Sequence, residues 1–126
     1  MGGALAITVR SERGVVIAAI TGEIDISAVA QLRERLFELA DNGGTLIVDL
    51  NRVTFIDSAG LGALVGTARR IAAHGGSLHA VCSQPQPCKL LWMTGVNRRI
   101  PLSATVDEVL MSQAASRDSS GYGSTA

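Results

Sequence analysis

The chain has 126 residues, with 11 basic and 11 acidic side chains that cancel to a formal net charge of zero. That length suits one domain, and the balanced charge argues against nucleic acid or an anionic membrane surface as the main partner, since those contacts need a basic surplus. Aromatics make up only 3% of the chain, so its core must be built from Leu, Ile, Val and Ala.

No apolar run approaches the ~20 residues that span a bilayer, so direct membrane insertion is not expected. No basic segment precedes an apolar run near the N-terminus, so neither is a secretory signal. Two cysteines, Cys82 and Cys88, are too few for a disulfide scaffold and point to a reducing, cytoplasmic setting.

In chain order, Leu5, Ile7 and Val9 alternate along residues 5–9 and predict a half-buried strand. A turn over residues 11–14 leads to a second, more apolar strand over 15–21, and the short link predicts an antiparallel hairpin. Residues 22–27 (Gly-Glu-Ile-Asp-Ile-Ser) read as a polar loop, with Asp25 and Ser27 as helix N-cap candidates. A helix follows over 28–40, with Val29, Leu32, Leu36 and Leu39 on one face and Asn42-Gly43-Gly44 as its stop.

Residues 46–50 are apolar except Asp49, as in a strand covered on both faces. A strand, helix and strand with short links predict a parallel, right-handed crossover. The unit repeats: a polar turn over 51–57, a helix over 58–73 and a strand over 77–82. Residues 83–87 carry two prolines and read as a loop; a short helix is expected over 89–96 and an edge piece over 99–102. A last helix is predicted over 103–115, capped by Ser103 or Thr105, with Val106, Val109 and Leu110 inward. The Ser- and Gly-rich residues 116–126 read as a disordered tail after a domain over 1–115. The expected fold is α/β: a small mixed sheet of four or five strands, opened by an antiparallel hairpin, with about four helices packed on it.

The turn at Ser58 organises the functional reading. Asp57 or Ser58 caps a helix, which is the ordinary use of such a pair. Capping does not explain Gly60 and Gly62, because each glycine inside a helix costs roughly 0.8–1 kcal/mol against alanine. Two of them in the first turns imply a close approach to the backbone by a neighbouring strand, a ligand or a partner. Dinucleotide and P-loop fingerprints fail: Val65 stands where a third small residue is needed, and no Gly-Lys-Ser/Thr is present. The nucleophile elbow fails because Ile56 occupies its first position. A hydrolytic triad lacks a partner: His74 falls at a helix end and His79 is read as pointing outward from a strand. No catalytic residue, cofactor or metal is expected. A serine at a helix start can instead carry a phosphate, adding about −1.5 to −2 charges beside Asp57. A partner surface built for the neutral hydroxyl would reject it.

The run from Val48 to Gly62, with Asp57-Ser58-Ala59-Gly60-Leu61-Gly62 at its end and Gly22-Glu23-Ile24-Asp25 upstream, resembles the signature of bacterial anti-sigma factor antagonists. Those proteins have the STAS domain, also found in the tails of sulfate transporters. The resemblance covers roughly residues 5–110. It implies a non-enzymatic protein that binds an anti-sigma factor, often a serine kinase, and so frees a sigma factor. It further implies that the kinase phosphorylates Ser58 and a phosphatase reverses the reaction. Asp25, Asp57, Ser58, Ala59, Gly60, Leu61 and Gly62 are then the partner-binding residues. Ala59 departs from the second Ser or Thr of many members, which leaves Ser58 the sole acceptor in the turn. A transporter-docked or lipid-trafficking STAS subunit is the alternative reading. A second alternative is redox control through Cys82 and Cys88, which flank one Pro-rich loop; its bland counterpart is two small buried apolar residues.

Overall fold

The structure is a computed structural model; it describes the backbone of residues 5–125 and the side chains of residues 5–115. Strand β1 (Ala6–Glu12) and strand β2 (Val15–Ile24) form the expected antiparallel hairpin, paired from Ala6↔Thr21 to Glu12↔Val15. The turn is tighter than the sequence suggests. Only Arg13 and Gly14 remain outside the ladder, both with positive φ (53° and 78°), the conformation that matches the twist of two joined strands.

Helix α1 (Val29–Ala40), strand β3 (Thr45–Ile56), helix α2 (Ser58–Ala73) and strand β4 (Ser77–Val81) follow. Helix α3 (Pro85–Met93), a 3-10 turn (Val96–Arg98), strand β5 (Leu102–Ser103) and helix α4 (Val106–Thr125) complete the order. The strands lie in sequence order, β1 to β5, with every pairing after the hairpin parallel. Each crossover steps to the next strand in the same direction. Right-handed crossovers of that kind must put all their helices on one face of the sheet. Leu32, Leu36, Leu61, Leu64, Ile71 and Leu91 accordingly share one core with Ala18, Ile20, Val48 and Leu50. Helix α4, which follows the last strand, closes the opposite face: Val109 and Leu110 pack on Val15, Ile17, Ile47 and Val81. β3 therefore buries alternate residues on both faces, which explains its apolar run.

Four expectations are corrected. β3 does not end at residue 50: the chain through Ile56 stays in the sheet by pairing with Gly22, Glu23 and Ile24, past two register shifts that absorb its polar residues. Residues 22–24 are likewise strand. The prolines after β4 do not make a loop. Pro85 and Pro87 open α3, where the first N–H groups need no helical acceptor, so a missing donor costs nothing. The last helix starts at Val106, with Thr105 Oγ1 accepting from the Glu108 N–H (3.2 Å) and Glu108 Oε2 accepting from the Ala104 N–H (3.1 Å). This is a capping box with its return bond shifted one residue outward. The helix also runs on to Thr125, past its expected end at residue 115; the side chains over 116–126, where a tail was expected, lie outside those described.

Candidate functional site

Parallel strands leave the sheet at the same end, and the loops after β2, β3 and β4 are thereby brought together at one rim. Ile24 pairs with Ile56, and the Asp57 N–H donates to the Ile24 carbonyl at 3.1 Å. The Asp25 loop and the Asp57-Ser58 turn therefore depart side by side. The third loop is tied to them by Gln86 of α3. Its Oε1 accepts from the Ile56 N–H at 3.0 Å and its Nε2 donates to the Ile56 carbonyl at 2.9 Å. A side-chain amide thus replaces a neighbouring strand where β4 has already stopped.

Asp57, not Ser58, is the N-cap of α2. Its backbone is extended and its Oδ1 accepts from the Ala59 and Gly60 N–H groups at 3.0 and 3.1 Å. Ser58 is the first helical residue and is exposed. Its hydroxyl has no hydrogen-bond partner among the described residues. The cap has been supplied by the neighbouring acid, so the serine is left free at the positive end of a helix.

The other acidic loop is self-contained. Asp25 Oδ1 accepts from the Ser27 N–H (3.0 Å), the Ser27 hydroxyl (2.6 Å) and the Ala28 N–H (3.2 Å). These bonds, the Ser27 hydroxyl first, hold the Asp25 carboxyl below its ordinary range. Asp25 closes the turn before α1, whose own N-cap, Ala28, offers no side chain. Between them Ile26 stands 76% exposed, and Phe55, paired to Glu23, is 39% exposed. Neither residue was singled out from the sequence. Ile26 was legible there as an apolar side chain in a polar loop; Phe55 was hidden by the premature end assigned to β3. Gln86 was unreadable, because its partner Ile56 lies 30 residues away.

The glycines separate. A Cβ on Gly60 would stand 2.6 Å from Ile24 Cγ2 and 2.7 Å from Ile56 Cγ1. The close approach is therefore that of the strand ends beneath α2, not of a partner. Of the residues expected to meet a partner, Gly60 and Leu61 are buried beneath the rim. Gly62 is exposed, with nothing within 4 Å of a Cβ position. The surface of the rim includes Asp25, Ile26, Phe55, Asp57, Ser58, Ala59 and Gly62.

Neither histidine serves Ser58. His74 caps the far end of α2 and contacts Asp41 at 3.3 Å. His79 pairs with Ile47, toward the opposite end of β3, and does not point outward. It is half-buried near Gln113 of α4, and burial pushes its pKa down. Among the described residues no group of His, Cys, Asp and Glu is arranged to hold a metal ion, and no helix is long and apolar enough to cross a membrane.

Comparison with known proteins places this architecture. The STAS domain family model matches residues 6–109. The anti-sigma-B factor antagonist of Bacillus subtilis is 39% identical over 85 residues, which cover 68% of this chain and 78% of that protein. An anti-sigma factor antagonist from Mycobacterium paratuberculosis superposes with a TM-score of 0.80 at 25% identity, over 86% of this chain and 93% of that one. Bacillus SpoIIAA in the phosphorylated form superposes with a TM-score of 0.64 at 27% identity, over 83% and 96%. The chain belongs to the STAS-domain family of bacterial anti-sigma factor antagonists.

Proposed function

We propose that this chain binds an anti-sigma factor through the rim around Ser58, frees the sigma factor by doing so, and is switched off by phosphorylation of Ser58. One observation carries the reading: an exposed serine hydroxyl without a hydrogen-bond partner among the described residues, at the first position of α2, beside a capping carboxylate. Asp57 already holds the Ala59 and Gly60 N–H groups, so a phosphate on Ser58 would not be neutralised by them. Its charge would stand out on the surface, added to Asp57 and Asp25. Exposed apolar side chains, Ile26 and Phe55, supply contact area to a partner that the new charge then repels. The role is binding, not catalysis. The kinase is the anti-sigma factor or a companion of it, a phosphatase resets the switch, and the setting is the cytoplasm. The names of the B. subtilis relative and of phosphorylated SpoIIAA support this reading.

The test is incubation with candidate anti-sigma kinases and ATP, followed by mapping of the phosphate by mass. The expected result is one phosphate on Ser58 and none on Ser58→Ala. Equal modification of both proteins would remove Ser58 as the acceptor. Ser58→Glu is expected to lose the anti-sigma factor while Ser58→Ala keeps it.

A further inference from the structure

We propose that Cys82 and Cys88 form an intramolecular redox pair, oxidised by a hydroperoxide, whose disulfide restrains the Ser58 turn through Gln86. The pair stands whether or not Ser58 is phosphorylated. Cys82 follows β4 directly and is buried; Cys88 lies in the first turn of α3 and is half-buried. Both are free thiols, and Cys88 packs against the same core that contains Cys82. They also converge on one backbone group: the Gln84 carbonyl lies 3.9 Å from Cys82 Sγ and accepts from the Cys88 N–H at 3.1 Å.

The exposure of the two sulfurs assigns their roles. Burial, reinforced by Cys88, pushes the Cys82 thiol up to about 12. Cys88, nearer to solvent, is the sulfur that meets the peroxide. Its thiolate attacks one peroxide oxygen; the S–O bond forms, the O–O bond breaks, and water (or an alcohol) leaves. Cys82 sulfur then attacks the Cys88 sulfenic acid; the S–S bond forms, the S–O bond breaks, and the departing hydroxyl takes the Cys82 proton as a second water. Two thiols lose two electrons and the peroxide gains them. A dithiol reductant reverses the step by exchange.

The connection to Ser58 is direct. The segment between the cysteines grips β3 at two points. Ser83 Oγ donates to Asn51 Oδ1 at 2.8 Å and Gln84 Nε2 donates to the Asn51 carbonyl at 2.9 Å. Gln86 then brackets Ile56, the residue before Asp57. A bond across Cys82 and Cys88 fixes the first turn of α3, and with it the amide that holds the end of β3.

The experiment oxidises the whole wild-type chain with hydrogen peroxide, labels free thiols and measures mass and amide exchange. The expected product is a monomer lighter by two hydrogens, with no labelled thiol and a linked Cys82–Cys88 peptide, restored by dithiothreitol. Cys82→Ser and Cys88→Ser should not form it. Amide exchange over residues 56–62 is expected to slow by about threefold or more on oxidation, and Gln86→Ala should abolish that slowing while still forming the disulfide. Thiols that stay labelled, a sulfinic acid product or a disulfide-linked dimer would overturn the pair. A disulfide that leaves exchange over 56–62 unchanged, or a slowing that survives Gln86→Ala, would overturn the coupling.

Discussion

Two helices in this molecule begin beside an acid and a serine, and the two beginnings are built differently. Before α1, Asp25 takes up the Ser27 hydroxyl together with two backbone N–H groups, and the serine is consumed in closing its own turn. At α2, Asp57 reaches past Ser58 to Ala59 and Gly60, and the serine is left with nothing to hold. The same residue types, at nearly the same separation, give a structural serine in one place and an available one in the other. What decides is the backbone. Ser27 lies in a turn that bends its hydroxyl back onto the acid, whereas Ser58 is already helical and points its hydroxyl to solvent.

The sharpest way to break this comparison is chemical. With an anti-sigma kinase and ATP, Ser58 should take the phosphate and Ser27 none, so Ser58→Ala should lose essentially all incorporation while Ser27→Ala keeps it. A phosphopeptide map that finds Ser27 modified equally would erase the distinction. The next effect is on stability. Gly60→Ala should destabilise the fold by about 1–3 kcal/mol, since its methyl meets two buried isoleucines. Gly62→Ala should stabilise by up to about 1 kcal/mol, as a helical glycine replaced in open space. Urea denaturation of the two variants measures the contrast, and equal midpoints would refute it.

Smaller again is the cap itself. Asp57→Ala should cost about 1 kcal/mol, because two N–H groups at the start of α2 lose their acceptor. Asp57→Asn, which keeps an acceptor oxygen, should recover most of that loss in the same denaturation assay. The smallest effect is on titration. The Ser27 hydroxyl is the leading cause that holds the Asp25 carboxyl low, so Ser27→Ala should move the Asp25 titration back up toward the ordinary carboxylate value. A carboxyl whose folded pKa lies below its unfolded one contributes stability that is present above the unfolded value and lost as pH falls through the folded one. The Asp25 contribution therefore fades only below about pH 4. Carbon-detected NMR titration of wild type and Ser27→Ala reads the shift, and an unmoved Asp25 would remove the hydroxyl as its cause.

Much of this was written in local sequence. The helical spacing of Leu32, Leu36 and Leu39, the largely apolar start of β3, the paired glycines after α1 and α2, and the bounds of α2 itself were all readable, because they follow from periodicity and backbone sterics within a few residues. The Asp57-Ser58 pair was equally visible as a helix start. Which of the two caps and which stays free was not, since that depends on the direction of one carboxylate. The long-range features were hidden as well. The six further residues of β3 exist because β2 continues alongside them. Gly60 is required because Ile24 and Ile56 lie under it, although the sequence suggested a partner's approach as readily as a strand's. Cys82 and Cys88 flank one segment in sequence, but their convergence on the Gln84 carbonyl follows from Pro85 and Pro87 opening α3 and not a loop. Sequence determined the order of most elements and the candidate serine, through interactions that span one turn of chain. Tertiary structure decided the availability of that serine, because the groups that occupy or spare a hydroxyl are positioned by neighbouring strands far away along the chain.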